Sequence, residues 1–198
     1  MSLIILYSFI NFIQLSKNDK ESKTCIFGFT WVIHKILTEN KNNQILNNFF
    51  SNLSQSSVLH IGGWKKLTDL SIDKKQFNSE CSDFFKTDMD KIIDLYGMTE
   101  QLGIVYPDCE YGHKHVPVFS EILIRNTHSL EVQKDGESGF IQVISPIPNS
   151  YPGISIITDD IGEILGKDDC KCGRKGTYFV FKKRSEMADP KGCGDTID

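Results

Sequence analysis

Five consecutive residues, Tyr96-Gly97-Met98-Thr99-Glu100, bring an aromatic ring, a hydroxyl and a carboxylate close together. A ring at the carboxyl end of a strand can stack on a base. A threonine hydroxyl can bond a phosphate oxygen. A glutamate can hold Mg2+, which takes one or two carboxylates together with phosphate oxygens. An ordinary strand end leading into a helix would read the same way. A second set, Cys109, His115, Cys170 and Cys172, offers thiols and an imidazole, the ligand types that close a structural zinc site. Its Cys-x-Cys pair is tighter than the usual Cys-x-x-Cys, and independent residues on neighbouring loops are the competing reading. His115 is preferred to His113 because it directly precedes the expected strand Val116-Pro117-Val118-Phe119. A third feature is Cys193, flanked by glycines in a polar tail with Lys191 nearby. That setting predicts an exposed thiol whose nucleophilic thiolate the lysine favours; a plain surface cysteine fits the same residues. Gly62-Gly63 either lets a ligand approach the backbone closely, since glycine lacks a Cβ, or makes a tight turn.

These groups need a scaffold. The chain has 198 residues, 39% of them apolar, which is enough for a domain with a real core. A formal charge of −4 leaves no basic excess for a nucleic-acid face. Six cysteines in a chain of this length without a convincing export signal suggest reduced thiols in a cytoplasmic protein. The apolar start, Leu3 to Ile13, is too short to span a bilayer, and no lysine or arginine precedes it. It is expected to be a buried strand or helix. A membrane anchor, or core whose packing partner lies upstream, are the alternatives.

Residues 26–50 carry apolar positions at helical spacing: Ile33, Ile36 and Leu37 on one face, then Ile45, Leu46, Phe49 and Phe50, split by the asparagine-rich 40–48. Ser-rich 51–57 reads as a loop. Val58-Leu59-His60-Ile61, closed by Gly62-Gly63, suits a buried parallel strand. Asp73 to Lys86 suits a helix capped by Asp73, with Phe77, Cys81, Phe84 and Phe85 toward the core. Ile92-Ile93-Asp94-Leu95, stopped by Tyr96-Gly97, is the next buried strand. Strand, helix and strand in this order make a βαβ unit, so the first half reads as α/β. From Val116 the pattern changes to strands over 116–125, 139–145, 154–158 and 177–182, joined by glycine and proline turns into a small antiparallel β unit. The expected organisation is an α/β part over 1–102, a β-rich part with the candidate zinc site over 103–183, and a mobile tail over 184–198 bearing Cys193. His34 and His60 are expected as core histidines, and Cys25 and Cys81 as small buried hydrophobes.

Tyr96-Gly97-Met98-Thr99-Glu100 is similar to the Tyr-Gly-x-Thr-Glu motif of the adenylate-forming superfamily, which includes acyl-CoA synthetases, peptide-synthetase adenylation domains and firefly luciferase. The resemblance implies that Tyr96 packs on adenine, Thr99 meets the α-phosphate and Glu100 binds magnesium. Thr158-Asp159-Asp160-Ile161-Gly162 resembles Thr-Gly-Asp-Leu-Gly, which gives Asp160 the ribose hydroxyls. Phe181-Lys182-Lys183-Arg184 resembles the later Gly-Arg element, which gives Arg184 a ribose contact; Lys183 stands where the superfamily usually has glycine. By the same resemblance Gly62 and Gly63 would line the adenine pocket, and Trp64, Gly97 and Met98 would belong to the ATP site.

The finer resemblance is to the acyl-protein synthetase family, the ligase component of the bacterial bioluminescence fatty-acid reductase. His60-Ile61-Gly62-Gly63-Trp64-Lys65-Lys66, Tyr96 to Gly103, Ser150-Tyr151-Pro152-Gly153, Cys170-Lys171-Cys172-Gly173-Arg174 and Gly192-Cys193-Gly194-Asp195 carry it. It implies ATP- and Mg2+-dependent activation of a long-chain fatty acid as an acyl-adenylate, transfer to Cys193, and passage to a reductase partner. A comparable set in aryl-CoA ligases implies zinc at Cys109, His115, Cys170 and Cys172. The superfamily's Ser/Thr/Gly-rich phosphate loop and amino-terminal half have no counterpart in these residues. The chain is therefore expected to correspond to the carboxyl-terminal half of an adenylate-forming domain: a fragment, a split gene product whose amino-terminal half acts in trans, or a degenerate copy. A phenylacetate-type CoA ligase fragment, which would not need Cys193, and a catalytically silent, zinc-stabilised partner-binding module are the competing functions.

Overall fold

A computed structural model describes residues 23–53, 55–64, 71–148 and 151–185. Leu3 to Ile13, Lys65, Lys66, Ser150, Lys191 and Cys193 lie outside these described residues. Two compact units form: one from the described residues up to His60 and from 71 to Ile92, the other from Ile61 to Trp64 and from Ile93 onward. The division thus falls at 92/93, whereas the composition changes near Gly103.

In the first unit, β1 (Lys23–Phe29) runs into α1 (Thr30–Asn40). Then α2 (Gln44–Ser51) begins where the Asn43 side chain accepts from the backbone N–H groups of Ile45 and Leu46, at 3.1 and 3.3 Å. Those donors would otherwise lack a partner at a helix start. After β2 (Gln55–Ile61) comes α3 (Lys74–Phe85), capped as expected by Asp73, which accepts from Gln76 N–H at 2.9 Å. Lys86 takes a left-handed φ of 53° and ends the helix. Both α1 and α2 pack on α3. The Phe50 ring lies 4.9 Å from Phe85 and 5.5 Å from Phe84. Ile33, Leu37, Leu46, Val58, Phe77 and Cys81 are buried with them. Burial pushes the Cys81 thiol up to about 12, so this cysteine packs and does not react. His60 is buried, with Nδ1 2.9 Å from Thr30 Oγ1 and its ring against Phe77.

Several expectations fail here for local reasons. Residues 26–29 belong to β1, where alternation turns Cys25, Phe27 and Phe29 outward; Cys25 is therefore exposed, not buried. Ile45 is 71% exposed, because the buried stripe of α2 runs through Leu46 and Phe50, one residue around the helix. His34 is only half-buried and lies 3.7 Å from the Glu80 carboxylate. The expected 51–57 loop is mostly regular structure: α2 includes Ser51 and β2 starts at Gln55. The Ser56 hydroxyl donates to Phe85 O, and the Thr87 hydroxyl donates to Ser56 O.

In the second unit, β3 (Ile92–Tyr96) pairs antiparallel with β4 (Tyr106–Pro107) through Tyr96 and Tyr106. Next come β5 (Lys114–His115), β6 (Glu121–Arg125), β7 (Gly139–Ile144), β8 (Ser155–Lys167) and β9 (Thr177–Arg184). The strand orders are β1-β2-β3-β4 and β5-β9-β8-β7-β6, a mixed α/β fold with a four-stranded sheet and a separate five-stranded antiparallel sheet. Ile122, Ile124, Ile141, Val143, Ile164 and Phe179 form one buried cluster with Tyr96, Ile104 and Tyr106.

The strand expected over 116–125 is confined to Glu121–Arg125, because Ser120 N–H closes a turn on Pro117 O and leaves Val118 fully exposed. The strand expected to end at 158 continues to Lys167. Its glycines allow this: a Cβ on Gly162 would stand 2.7 Å from Ile141 Cδ1, and one on Gly166 2.8 Å from the Tyr178 hydroxyl. Arg184, expected in the tail, closes β9. No described helix is long and apolar enough to cross a membrane.

One buried cation ties this unit together. Lys114 Nζ donates to Asp94 O at 3.2 Å, to Asp94 Oδ2 at 3.1 Å and to Asp108 Oδ1 at 2.9 Å. Burial lowers its pKa, and Asp94 opposes that shift. Lys114→Ala removes the cation that faces the buried Asp108 carboxylate. Guanidinium unfolding of that variant should show a loss of about 3–5 kcal/mol, as for breaking other buried pairs. A loss comparable with a surface pair, about 0–1 kcal/mol, would mean that the triad does not hold the unit.

Candidate functional site

The end of β3 gathers the nucleotide-type residues. Tyr96 is 8% exposed, and its hydroxyl donates to Asp160 Oδ2 at 2.9 Å. Its ring stacks on Phe181, with centroids 6.0 Å apart, and meets Phe179 edge-on at 5.8 Å. Asp160 on β8 pairs in register with Arg184 on β9. Arg184 Nε stands 3.9 Å from Asp160 Oδ1, and another guanidinium nitrogen stands 4.0 Å from Asp159. Thr158 Oγ1 accepts from Asp160 N–H at 3.1 Å and donates to Ile141 O at 2.9 Å. Segments 96–100, 158–162 and 181–184, distant in sequence, meet here. Burial raises the Asp160 pKa, while the Tyr96 hydroxyl and Arg184 pull it back. Burial, then the Asp160 charge, raises the Tyr96 phenol as well, so the phenol stays protonated and acts as the donor.

Beyond Tyr96 the chain is tightly routed. A Cβ on Gly97 would stand 3.3 Å from Ile104 O, 3.4 Å from Val105 Cγ1 and 3.5 Å from Ile61 Cδ1. The last of these contacts puts Gly97 beside the residue that leads into Gly62-Gly63. Those two glycines have φ of 88° and 57°, and a Cβ on Gly63 would meet nothing within 4 Å. Their conformation, not crowding, calls for glycine. Trp64 and Met98 are half-buried, Met98 against the core cluster. Thr99–Gln101 form a single 3-10 turn on which Thr99 and Glu100 are exposed, Thr99 Oγ1 donating to Glu100 Oε2 at 3.2 Å. An exposed carboxylate beside a hydroxyl suits Mg2+ with phosphate oxygens.

The second set also comes together. The ligand atoms of Cys109, His115, Cys170 and Cys172 lie within 4.8 Å of one another. Cys109 Sγ is 3.9 Å from Cys170 Sγ, and Cys172 Sγ is 3.3 Å from His115 Nε2. Thiolates at about 2.3 Å from a tetrahedral ion stand about 3.8 Å apart, so the donor set fits zinc. Cys109 starts a turn that Gly112 N–H closes at 2.8 Å, while Cys170 and Cys172 occupy the β8–β9 connection. There Gly173, with φ of 81°, donates to Cys170 O, and Arg174 N–H points at Cys172 Sγ at 3.4 Å. Burial pushes the Cys170 thiol up to about 11. Burial also pushes Cys172 upward, but the Arg174 N–H and the neighbouring thiols bring it below its ordinary value. Burial, then Arg174 and His113, lowers the His115 pKa, which favours the neutral, ligating imidazole. Among the described residues, buried His115 Nδ1 meets no hydrogen-bond partner. His115 lies within β5 opposite Tyr178, not ahead of a strand at 116–119. His113 Nδ1 also approaches Cys170 Sγ, at 3.3 Å. Lys114 and Gln101, both buried, are polar residues that the sequence patterns did not single out.

A family model for acyl-protein synthetase, LuxE, matches residues 5–198. The chain belongs to the acyl-protein synthetase family. The long-chain-fatty-acid–luciferin-component ligase of Aliivibrio fischeri is 29% identical over 181 residues, covering 89% of this chain and 45% of that protein. Its namesake from Vibrio harveyi is 31% identical over 134 residues, covering 67% of this chain and 34% of that protein. This acyl-protein synthetase family member thus spans less than half the length of these curated relatives. A long-chain-fatty-acid-CoA ligase from Archaeoglobus fulgidus superposes with a TM-score of 0.54 at 14% identity, over 89% of this chain and 37% of that one. The family member therefore has the fold of adenylate-forming ligases over its described residues.

Because burial raises the Asp160 pKa, its proton stabilises the folded chain below the usual aspartate range. That contribution is lost as pH rises through the raised value. Asp160→Asn cannot ionise, so in thermal unfolding it should exceed wild type in stability at neutral pH, with the gap closing in acid. A gap that does not change with pH would refute the assignment to Asp160.

Proposed function

We propose that this chain supplies the nucleotide-binding and acyl-accepting part of an ATP-dependent long-chain fatty-acyl ligase. The convergence of Tyr96, Asp160 and Arg184 at the end of β3 carries this reading. In it, Gly62, Gly63, Trp64, Tyr96, Gly97 and Met98 line the adenine pocket, and Asp160 and Arg184 hold the ribose. Thr99 meets the α-phosphate, and Glu100 holds Mg2+. Bound magnesium supplies positive charge to the phosphate oxygens. Thr99 donates its hydroxyl to the charge that develops on the α-phosphate. A fatty-acid carboxylate oxygen bonds the α-phosphorus and pyrophosphate leaves. The Cys193 thiolate then bonds the acyl carbon, and AMP leaves. A reductase-type partner would take the acyl group from the thioester. Cys25, Cys81, Cys109, Cys170 and Cys172 are free thiols, which supports a reducing, cytoplasmic setting.

Incubation with ATP, Mg2+ and a long-chain fatty acid should add a hydroxylamine-labile acyl group, seen by intact-protein mass spectrometry and absent from Cys193→Ala. If no adduct forms, even with the amino-terminal half of a family relative supplied in trans, the ligase reading is wrong. One observation favours a silent partner-binding module instead: Phe181 already stacks on the Tyr96 ring, where adenine would pack.

Cys109, His115, Cys170 and Cys172 in this reading hold a structural zinc that pins the β8–β9 connection to the turn at 109–112. Metal analysis should find one zinc per chain, lost in Cys109→Ser. Chelation should lower the melting temperature by roughly 5–10 °C, equivalent to a few kcal/mol for a chain of this size. A chain free of metal and indifferent to chelator would exclude the site.

A further inference from the structure

Tyr151-Pro152-Gly153 has no part in the chemistry above, yet it grips the turn that carries Thr99 and Glu100. The Tyr151 hydroxyl accepts from Leu102 N–H at 2.8 Å and reaches Thr99 O at 3.5 Å. From the same turn, Gln101 points inward at 1% exposure with both ends of its amide engaged. Its Nε2 donates to Gly153 O at 3.3 Å, and its Oε1 accepts from the Tyr106 hydroxyl at 3.1 Å. The Tyr106 hydroxyl lies 2.7 Å from Ser120 Oγ, which donates to Ile144 O at 3.1 Å. Packing closes the contact: a Cβ on Gly153 would stand 2.5 Å from Glu100 O.

A single 3-10 turn has little intrinsic stability. Within it, Gln101 N–H donates to Met98 O at 3.3 Å. Its exposed side chains are therefore aimed from outside. We propose that Tyr151, Gln101 and Gly153 are positioning residues that fix the direction of Thr99 and Glu100 toward a magnesium–triphosphate. This rests on the reading of those two residues given above. Tyr151 and Gly153 sit well away from the turn in sequence; Tyr151 acts through its backbone, and Gly153 through the Gln101 amide and the Glu100 carbonyl. Their loss should weaken the metal-dependent part of nucleotide binding and leave the metal-free part alone.

Two chemically opposite variants test this. Tyr151→Phe deletes one hydroxyl and keeps the ring. Gly153→Ala adds one methyl against Glu100 O at a glycine that is not in the left-handed region. ATP binding to the full chain would be followed by calorimetry with and without Mg2+, alongside the melting temperature. Both variants should raise the Kd for ATP in Mg2+ by about fivefold, the worth of roughly one hydrogen bond. The metal-free Kd and the melting temperature of Tyr151→Phe should match wild type. If wild type binds Mg2+–ATP and the variants bind it equally well, or lose binding equally with and without Mg2+, the positioning role is overturned and the nucleotide reading stands. If wild type binds no ATP under either condition, both fall together.

Discussion

Lys114 carries a charge into the interior of the second unit, and a charge there is tolerated only when it is met by partners. The partners are Asp94, inside β3, and Asp108, on the segment that follows β4. The backbone adds to the tie, since Asp108 N–H donates to Asp94 O at 3.0 Å. Both groups of candidate functional residues lie next to this triad in sequence. Tyr96 follows Asp94 on the same strand. Cys109 follows Asp108, and His115 follows Lys114. A single electrostatic requirement therefore sets where β3 ends and where the 109–115 turn begins.

Around that anchor the side chains divide sharply between inside and outside. Tyr96 and Gln101 are buried, whereas Thr99 and Glu100, between them in sequence, are exposed. The buried pair fasten the segment to the antiparallel sheet: Tyr96 through its ring contacts and its bond to Asp160, Gln101 through its amide. The exposed pair keep a hydroxyl and a carboxylate in water, where an anionic ligand and its metal would arrive. Tyr96 joins the two regimes, with an apolar body among Phe179 and Tyr106 and a polar tip on Asp160.

Much of this was legible in the sequence where local pattern and tertiary demand agree. Asp73 caps α3, and Phe77, Cys81, Phe84 and Phe85 face the core, because cap chemistry and helical period point the same way. The run Val58-Leu59-His60-Ile61 lies in a strand that stops at the glycines, as its composition demands. What stayed hidden depends on distant partners. Nothing near Lys114 in sequence says that a lysine will be buried, since Asp94 and Asp108 become its neighbours only through strand pairing. Gln101 is equally opaque without Tyr106 and Gly153. The length of β8 was not legible either: Gly162 and Gly166 interrupt the strand pattern locally, and only distant packing shows that they are sites where a side chain is excluded. The cysteine–histidine set was legible from residue type, but the reason for choosing His115 was not: it lies in β5 itself, held opposite Tyr178.

The antiparallel sheet is mostly a meander, with β6, β7, β8 and β9 adjacent in the order in which they occur along the chain. Each of these pairings joins consecutive strands, so it closes only a short loop and can form early in folding. The exception is β5, which waits for β9, the last of the described strands to be made. Synthesis runs from the amino terminus, so Cys109 and His115 leave the ribosome well before Cys170 and Cys172. The nascent chain must carry one half of a thiol–imidazole cluster, unclosed, until the final hairpin arrives.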